Sequence, residues 1–285
     1  MDVTFRSGTV ADAQVCGRVG YEAFQAIAEQ YNFPPDFPSA EIAIGLYAMI
    51  LGRSDIFSIV GERDGHIVCS NFLWEGDAIA GVGPITVLPA AQNASLGRRL
   101  MQAVLDRAEG RHQAGVRLVQ TAYHNRSLSL YTKLGFQARE PLSTLQGPPL
   151  NMELHGYRVR QASLDDLEAC NAICRTVHGH DRRGEVTHAI ADGIATVVER
   201  GGRITGYATG LGFFGHAVSR TNEELKALIG AAPVFTGPGF LLPTRNTELL
   251  QWCLHHGLLI VQPMTLMSLG LYQKPAGSFL PSILY

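Results

Sequence analysis

The sequence predicts a mixed α/β fold laid down twice: two domains in tandem, each a central mixed sheet flanked by helices. Three observations carry this. A strand, a capped helix and a hairpin near the N-terminus return later in the same order. Residues 81–108 read as a strand, a small-residue turn and an amphipathic helix. The 285 residues, 46% of them apolar, suffice for two cores of ordinary size.

The first strand is Val3-Thr4-Phe5-Arg6, and Thr9-Val10-Ala11-Asp12 follows it. At an offset of 154, Tyr157-Arg158-Val159-Arg160 leads to Ser163-Leu164-Asp165-Asp166. Each hydroxyl–x–x–acid spacing is a capping box, in which the N-cap hydroxyl and the N3 acid satisfy first-turn amides reciprocally. An amphipathic helix follows each box, and Cys16 maps onto Cys170 at the same offset.

Hairpins come next. Glu62-Arg63-Asp64-Gly65-His66-Ile67 joins apolar strands at 56–60 and 67–72. Its counterpart, Glu199-Arg200-Gly201-Gly202-Arg203-Ile204, lies 137 positions on. Asp-Gly and Gly-Gly suit two-residue hairpin turns because they accept positive φ. The smaller offset gives the first half about 17 extra residues between helix and hairpin, including the proline-rich loop at 31–38. The turn-rich stretch Gln146-Gly147-Pro148-Pro149 separates domains at 1–147 and 154–285.

The run Gly81-Val82-Gly83-Pro84-Ile85-Thr86-Val87 is strand-like, but Pro84 removes a ladder donor. The strand must splay there and leave backbone groups free for an extended ligand. Pro89 to Gly97 form a turn. The helix after it carries Leu96, Leu100, Met101, Val104, Leu105 and Ala108 on one face, and Arg98, Arg99, Gln102, Asp106 and Arg107 on the other. Strand, small-residue turn and helix N-terminus make an anion site, to which Arg98 and Arg99 add charge. An ordinary strand-to-helix turn has the same outline.

Pro-x-x-Gln-x-x-Ser-x-Gly at 89–97 resembles the acyl-CoA loop of the GNAT superfamily of N-acyltransferases, whose form is Gln/Arg-x-x-Gly-x-Gly/Ala. Gln92 and Gly97 match, Ser95 stands at the first motif glycine, and Asn93 stands where glycine is common. Asn tolerates left-handed backbone, and Ser95 offers a phosphate its hydroxyl. Downstream, Asn125, Leu130-Tyr131, Lys133 and Gly135-Phe136 match the superfamily's second signature. The likeness spans residues 1 to about 145, and the second half is similar to the degenerate C-terminal domain of tandem GNAT proteins.

The resemblance implies acetyl-CoA as cosubstrate, between the Pro84 strand and residues 118–122. Ile85, Thr86 and Val87 would pair with the pantetheine amides. Gln92, Asn93, Ala94, Ser95, Leu96, Gly97, Arg98 and Arg99 would cradle the pyrophosphate, and Asn125 would bond the pantetheine arm. The implied reaction is N-acetylation of a small-molecule or peptide amine by direct attack, with Tyr131 protonating the departing thiolate and an amide near Val87 polarising the carbonyl. For the base, Glu75 and Asp77 act directly or through water, with His124 as the alternative. Tyr21, Glu22, Phe24, Tyr31 and Phe33 either line an acceptor site or pack as core, and Glu22 suits a cationic acceptor. A rival of another class is a non-catalytic acyl-CoA-binding sensor or interaction protein. Transfer to oxygen, or of a longer acyl chain, would keep the fold.

In the second half, aligning Leu100-Met101-Gln102 with Leu249-Leu250-Gln251 places Phe240 to Leu254 at the phosphate turn. Eleven positions separate Pro89 from Leu100 but six separate Pro243 from Leu249, and Glu248 enters the first turn. A carboxylate there satisfies the helix end and repels a pyrophosphate. This half is expected to keep the fold without the phosphate loop, covering an acceptor cleft or forming a homodimer surface.

Charge excludes other classes. With 23 Lys+Arg against 25 Asp+Glu, net −2, there is no basic excess for nucleic acid. The best apolar run, 258–272, is broken by Gln262, Pro263, Ser268 and Gly270, which argues against a membrane span. MDVTFRSG lacks a secretory h-region, and five scattered cysteines fit free thiols, so a cytoplasmic location is expected. Cys170, Cys174 and His178 share a helical face but lack a fourth ligand, and the Cys16 counterpart argues for core packing, so no metal is expected. Gly179-His180-Asp181-Arg182 is similar to a short motif of the second domains. His255 and His256 suit a helix C-terminus, Met264 and Met267 a buried strand, and the apolar tail 279–285 should dock.

Overall fold

A computed structural model describes residues 3–92 and 95–284. Contacts divide the chain into two compact units, residues 1–118 with 124–135 and residues 119–123 with 136–285. This division does not follow the repeat boundary at 147, because residues 119–123 and 136–146 join the second unit.

Unit one opens with β1 (Thr4–Ser7), a short 3₁₀ turn and α1 (Ala13–Tyr31). The capping box forms: the Asp12 carboxylate accepts from the Thr9 N–H at 2.8 Å and the Thr9 hydroxyl at 3.0 Å. Arg6 then clamps Asp12 with two bonds of 2.8 Å. Asn32 ends α1 in left-handed geometry. The loop 32–39 leads to α2 (Ala40–Gly52), capped where Ser39 Oγ accepts from the Ile42 N–H. Gly17 lets α1 approach α2, since a Cβ there would lie 2.5 Å from the Ile44 Cα.

The hairpin is β2 (Ile56–Arg63) and β3 (His66–Trp74), with both turn residues, Asp64 and Gly65, at positive φ. β1 pairs antiparallel with β2 (Phe5 opposite Gly61). β3 next carries β4 (Ile79–Val82) and, further along the same edge, β5 (Thr86–Val87). α3 (Leu96–Gly110) buries Leu96, Leu100, Met101, Val104 and Ala108, while Leu105 is half-buried. β6 (Gly115–Thr121) runs parallel to β4, and α4 (Asn125–Lys133) follows. Buried Cys16, Tyr47, Ile50, Val60 and Phe72 form the core between the helices and the hairpin.

Unit two contains β7 (Gln137–Gln146), β8 (Arg158–Gln161), α5 (Leu167–His178), α6 (Arg183–Ala191), β9 (Thr196–Arg200), β10 (Arg203–Ala208), β11 (Ala217–Ser219), α7 (Asn222–Ala231), β12 (Phe240–Pro243), α8 (Thr247–His255), β13 (Leu259–Gly270) and β14 (Ser278–Leu280). β7 lies between β12 and β13, antiparallel to both. The order of the other strands is β14-β11-β10-β9-β8. The second capping box repeats the first: Asp166 accepts from the Ser163 N–H at 2.8 Å and is clamped by Arg160 at 2.7 and 2.8 Å. Gly201 and Gly202 turn the second hairpin at positive φ. The predicted mixed α/β architecture holds across both halves, with helices against sheets in each.

Element order corrects one alignment. Gly135 (φ 94°) ends α4 before β7, and Gly257 (φ 86°) ends α8 before β13. Residues 240–254 therefore copy β6 and α4 rather than the phosphate turn, and Cys253 stands where Tyr131 stands in the first half. The shared Leu-x-Gln triplet misled because short helical triplets recur, whereas a left-handed glycine at a helix end is a positional constraint. The true copy of the 86–110 passage is β11 followed by α7. There Glu224 accepts from the Thr221 N–H at 3.1 Å and from the Thr221 hydroxyl, with Glu223 beside it. The acidic first turn inferred for the second half thus lies at 223–224.

All five cysteines are free and buried, as the sequence reading expected. The His256 ring bonds the Trp252 carbonyl oxygen at 2.7 Å. Met264 and Met267 are buried in β13, and Phe279, Leu280 and Leu284 of the tail are buried. Among the described residues no helix is long and apolar enough to cross a membrane, and no cluster of metal-ligating side chains occurs.

Candidate functional site

The interrupted strand defines the site. The parallel register of β4 with β6 runs from Ile79 opposite Gly115 to Gly81 opposite Arg117. The ladder breaks after Val82, as the proline led one to expect; the chain passes a cis Gly83–Pro84 bond, and β5 stays on β3. Two groups sequence reasoning missed hold the break. The Trp74 Nε1–H donates to the Gly83 oxygen at 2.9 Å, and the Gly83 N–H donates to the Phe72 oxygen at 3.0 Å. A tryptophan two residues before a turn gives no sequence signal of that bond.

Ile85, Thr86 and Val87 divide by face. Thr86 is buried, its hydroxyl 3.1 Å from Ser70 Oγ and 3.4 Å from the buried Tyr47 phenol oxygen. Its side chain is thus committed to the core, and only its backbone position serves a ligand. The Leu88 N–H donates to the Val68 oxygen at 2.8 Å. Amide direction alternates along a strand, so the Val87 N–H faces away from β3. The Gln92 side-chain amide donates to the Val87 oxygen at 3.4 Å, and Arg126 donates to Gln92 Oε1 at 2.9 Å. Arg126, next to a signature asparagine, is a second residue the sequence did not single out.

Ser95 is the N-cap of α3 in left-handed geometry, φ 57° and ψ 13°. This is the conformation a motif glycine adopts freely. Its side chain makes no capping bond, and among the described residues no side chain caps the first-turn amides of Leu96, Gly97 and Arg98. Gly97 sits against Leu130: a Cβ there would lie 3.4 Å from that side chain. Arg98 is exposed. Arg99 is directed elsewhere; it donates to the Val3 oxygen at 3.1 Å and its guanidinium lies 4.5 Å from the Phe5 ring centre, so its charge is engaged in the fold. Asn93 and Ala94, also expected in the loop, lie outside the described residues.

α4 presents the remaining groups. His124 is its N-cap, Asn125 its exposed first residue, and Tyr131 is buried nearly two turns on. Burial pushes the Tyr131 phenol above its ordinary range. Burial, with the Arg126 charge nearby, pushes His124 down, so its ring is neutral at neutral pH. The His124 ring meets Tyr31 edge-on at 6.4 Å, which brings one of the expected acceptor-lining aromatics to the site. Phe24 instead meets Phe37 edge-on at 5.6 Å.

Glu75 does not fit the role of base. Arg107 grips its carboxylate with bonds of 2.8 and 2.6 Å, and Arg111 lies 3.9 Å away. Glu75 also follows Trp74, five residues along β3 from Ser70, the partner of Thr86. At about 3.3 Å per residue that is roughly 17 Å from the exposed edge. Asp77, in the turn before β4, lies at the same far end.

Residues 54–138 match the family model described as the Acetyltransferase (GNAT) domain. An "IAA acetyltransferase" from Azospirillum brasilense is 28% identical over 131 residues, 45% of this chain and 85% of that protein. Solved structures extend the likeness to the whole chain. A Pyrococcus horikoshii protein aligns over 99% of this chain and 92% of its own, with TM-score 0.73 at 16% identity. A GCN5-related N-acetyltransferase from Sphaerobacter thermophilus covers 95% and 96% at TM-score 0.63 and 16% identity. A tandem GNAT protein from the clavulanic acid biosynthesis pathway covers 99% and 100% at TM-score 0.55 and 12% identity. At such identities the structures speak for the fold. The matched segment carries the second signature, Asn125 to Phe136, and the turn at 89–97, and over this segment the chain is similar to GNAT acetyltransferases.

Proposed function

We propose that the chain is an acetyl-CoA-dependent N-acetyltransferase that uses its first half, with a small-molecule or peptide amine as acceptor. The observation that carries this reading is the uncapped N-terminus of α3, set just after a strand whose Val87 N–H faces away from its neighbour. Extended amides pair with such an edge, and a diphosphate suits bare first-turn amides with half a positive charge behind them. Arg98 adds formal charge. Asn125, exposed at the start of α4, both donates and accepts toward an amide-bearing arm.

The amine nitrogen attacks the thioester carbon. The Val87 N–H donates to the oxygen that gains charge, and the intermediate collapses with cleavage of the C–S bond. Tyr131 donates its proton to the leaving sulfur; its raised pKa keeps the phenol protonated at every working pH. His124, held neutral, accepts the proton the amine gives up, directly or through one water. Glu75 is a structural ion-pair partner in this account. The second half, with acids at the start of α7 and Cys253 in place of Tyr131, serves as a scaffold without cofactor.

The test is acetyl-CoA with a panel of amines, following free thiol. Thiol release that needs an acceptor and is lost in Tyr131→Phe supports the enzyme. Saturable coenzyme binding without acceptor-dependent release across the panel would instead identify a sensor.

A further inference from the structure

We propose that the edge of β11 away from β10 is a binding groove for an extended peptide strand, occupied in this chain by its own residues 278–280. One edge of β11 pairs with β10 (Val218 opposite Tyr207). The other pairs antiparallel with β14, Ala217 opposite Leu280, Val218 opposite Phe279 and Ser219 opposite Ser278. β14 also packs against β12. β11 and β12 copy β4–β5 and β6, so the strand sits where the first half leaves the edge at 85–87 unpaired from its parallel neighbour. The likeness to a cofactor edge rests on the proposed function; the strand's own pairing does not.

The groove has specific features. Phe279 is 3% exposed and meets the buried His178 ring edge-on at 5.2 Å, which makes an aromatic pocket at that register position. The Ser278 hydroxyl donates to Asn222 Oδ1 at 2.8 Å, and Asn222 and Asn246 exchange amide bonds of 3.0 and 2.8 Å across the starts of α7 and α8. Backbone bonds fix the strand at both ends: the Ala276 N–H donates to the Val177 oxygen at 2.8 Å and the Ile283 N–H to the Phe213 oxygen at 2.7 Å. A cavity of about 380 Å³ remains beside Ser278, lined by Asn222, Arg245, Asn246 and Glu248. The segment leading in is exposed at Gln273 and Lys274. An unpaired edge next to an apolar pocket invites another chain, and a tethered strand at high effective concentration closes it. The ligand class is a peptide in extended form with an aromatic side chain at the 279 register and a small hydroxyl before it. Glu223 and Glu224 at the start of α7 disfavour an acyl-CoA diphosphate there.

The test starts from folded protein. A protease site is inserted between Gln273 and Lys274, the folded full chain is cut, and a fluorescent peptide of residues 276–285 is added. The expected result is that the labelled peptide replaces the tail saturably and that a Phe279→Asp peptide competes about 50-fold more weakly. With the tail washed out, the amides of residues 217–219 should exchange faster with solvent and the melting temperature should fall, both recovering with added peptide. The proposal is overturned if tail release changes neither property, if a scrambled peptide competes equally, or if the cut chain takes up a second coenzyme A. None of these readouts depends on first-half activity, so failure here and failure of the acetyltransferase reading are separable.

Discussion

The starts of α3 and α7 stand at equivalent places and differ in what satisfies their amides. At α3 the N-cap Ser95 is left-handed and its hydroxyl makes no cap. At α7 the N-cap Thr221 is extended, φ −136°, and Glu224 closes a capping box. One end receives no cap from its own N-cap side chain, where the proposed function puts a diphosphate, and the other is satisfied by its own carboxylate. The downstream helices differ to match, with buried Tyr131 in α4 and buried Cys253 at its place in α8. The duplicated scaffold tolerates either state because the cores beneath both starts are apolar; the chemistry resides in a few positions at strand and helix ends.

The sharpest way to break this comparison is to exchange the paired positions. Tyr131→Phe keeps the buried volume and removes the proposed proton donor, and should lower kcat about 10²-fold or more. Cys253→Ala should leave kcat within about twofold, since a residue outside the reacting centre changes no transition-state contact. Steady-state thiol release with both variants checks this. A large loss in Cys253→Ala would assign the second half a share in the chemistry.

His124 gives the next effect. Its pKa is pushed below the ordinary 6.5 by burial, and in the proposed mechanism the neutral ring is the base, so activity should rise as pH climbs through that lowered value and be flat near pH 7. His124→Gln should lose that acid limb and lower plateau kcat about 10- to 100-fold. Tyr131 titrates too high to impose an alkaline limb below pH 10. A pH–rate profile unchanged in His124→Gln would remove the histidine from the mechanism.

Where the halves agree, they should fail together. Arg6 ties Asp12 to Glu62, and Arg160 ties Asp166 to Glu199 in the same geometry, with bonds of 2.6–3.0 Å. The Arg6 guanidinium holds Asp12 down at about 2, and Arg160 holds Asp166 lower still. A depressed folded pKa stabilises above the unfolded value near 4 and loses that stabilisation as pH falls toward 2. Arg6 is 40% exposed and screened by solvent. Arg6→Ala and Arg160→Ala should therefore each cost about 1–2 kcal/mol at pH 7, and less at pH 3. Urea midpoints at the two pH values check it.

These triads also explain why the repeat was legible. The two sequence anchors, capping box and hairpin glutamate, are joined in space by one arginine in each half, so both had to be kept in order. The hairpin turns were legible because two consecutive positive φ angles admit few residues. The proline break at Pro84 and the small-residue turn at 89–97 were visible for the same local reason. The misassigned second phosphate turn was not, because nothing local distinguishes the helix after β11 from the helix after β12. Glu75 failed as a base because distance along β3 and the partner Arg107 are tertiary facts, and Arg99 failed as a phosphate ligand because Phe5 and Val3 reach it from 94 and 96 positions away.

The smallest effect tests the cap itself. Ser95 holds a left-handed angle that costs a residue with a Cβ about 1–2 kcal/mol, and glycine adopts it freely. Glycine also enlarges the unfolded ensemble by about 0.4–1 kcal/mol, so Ser95→Gly should stabilise the protein by a net ~0.5 kcal/mol. Thr221 works in the opposite sense: its extended backbone needs no glycine and its hydroxyl serves the box, so Thr221→Ala should destabilise by about 1 kcal/mol. If bare amides alone hold the diphosphate, coenzyme affinity in Ser95→Gly stays within about twofold of the parent, because loss of one neutral hydrogen bond would exceed that. Calorimetric titration of Ser95→Gly and Ser95→Ala separates the two contributions. An equal loss of affinity in both variants would show that the hydroxyl binds phosphate, and the contrast between the two helix starts would then rest on a side chain as well as on the backbone.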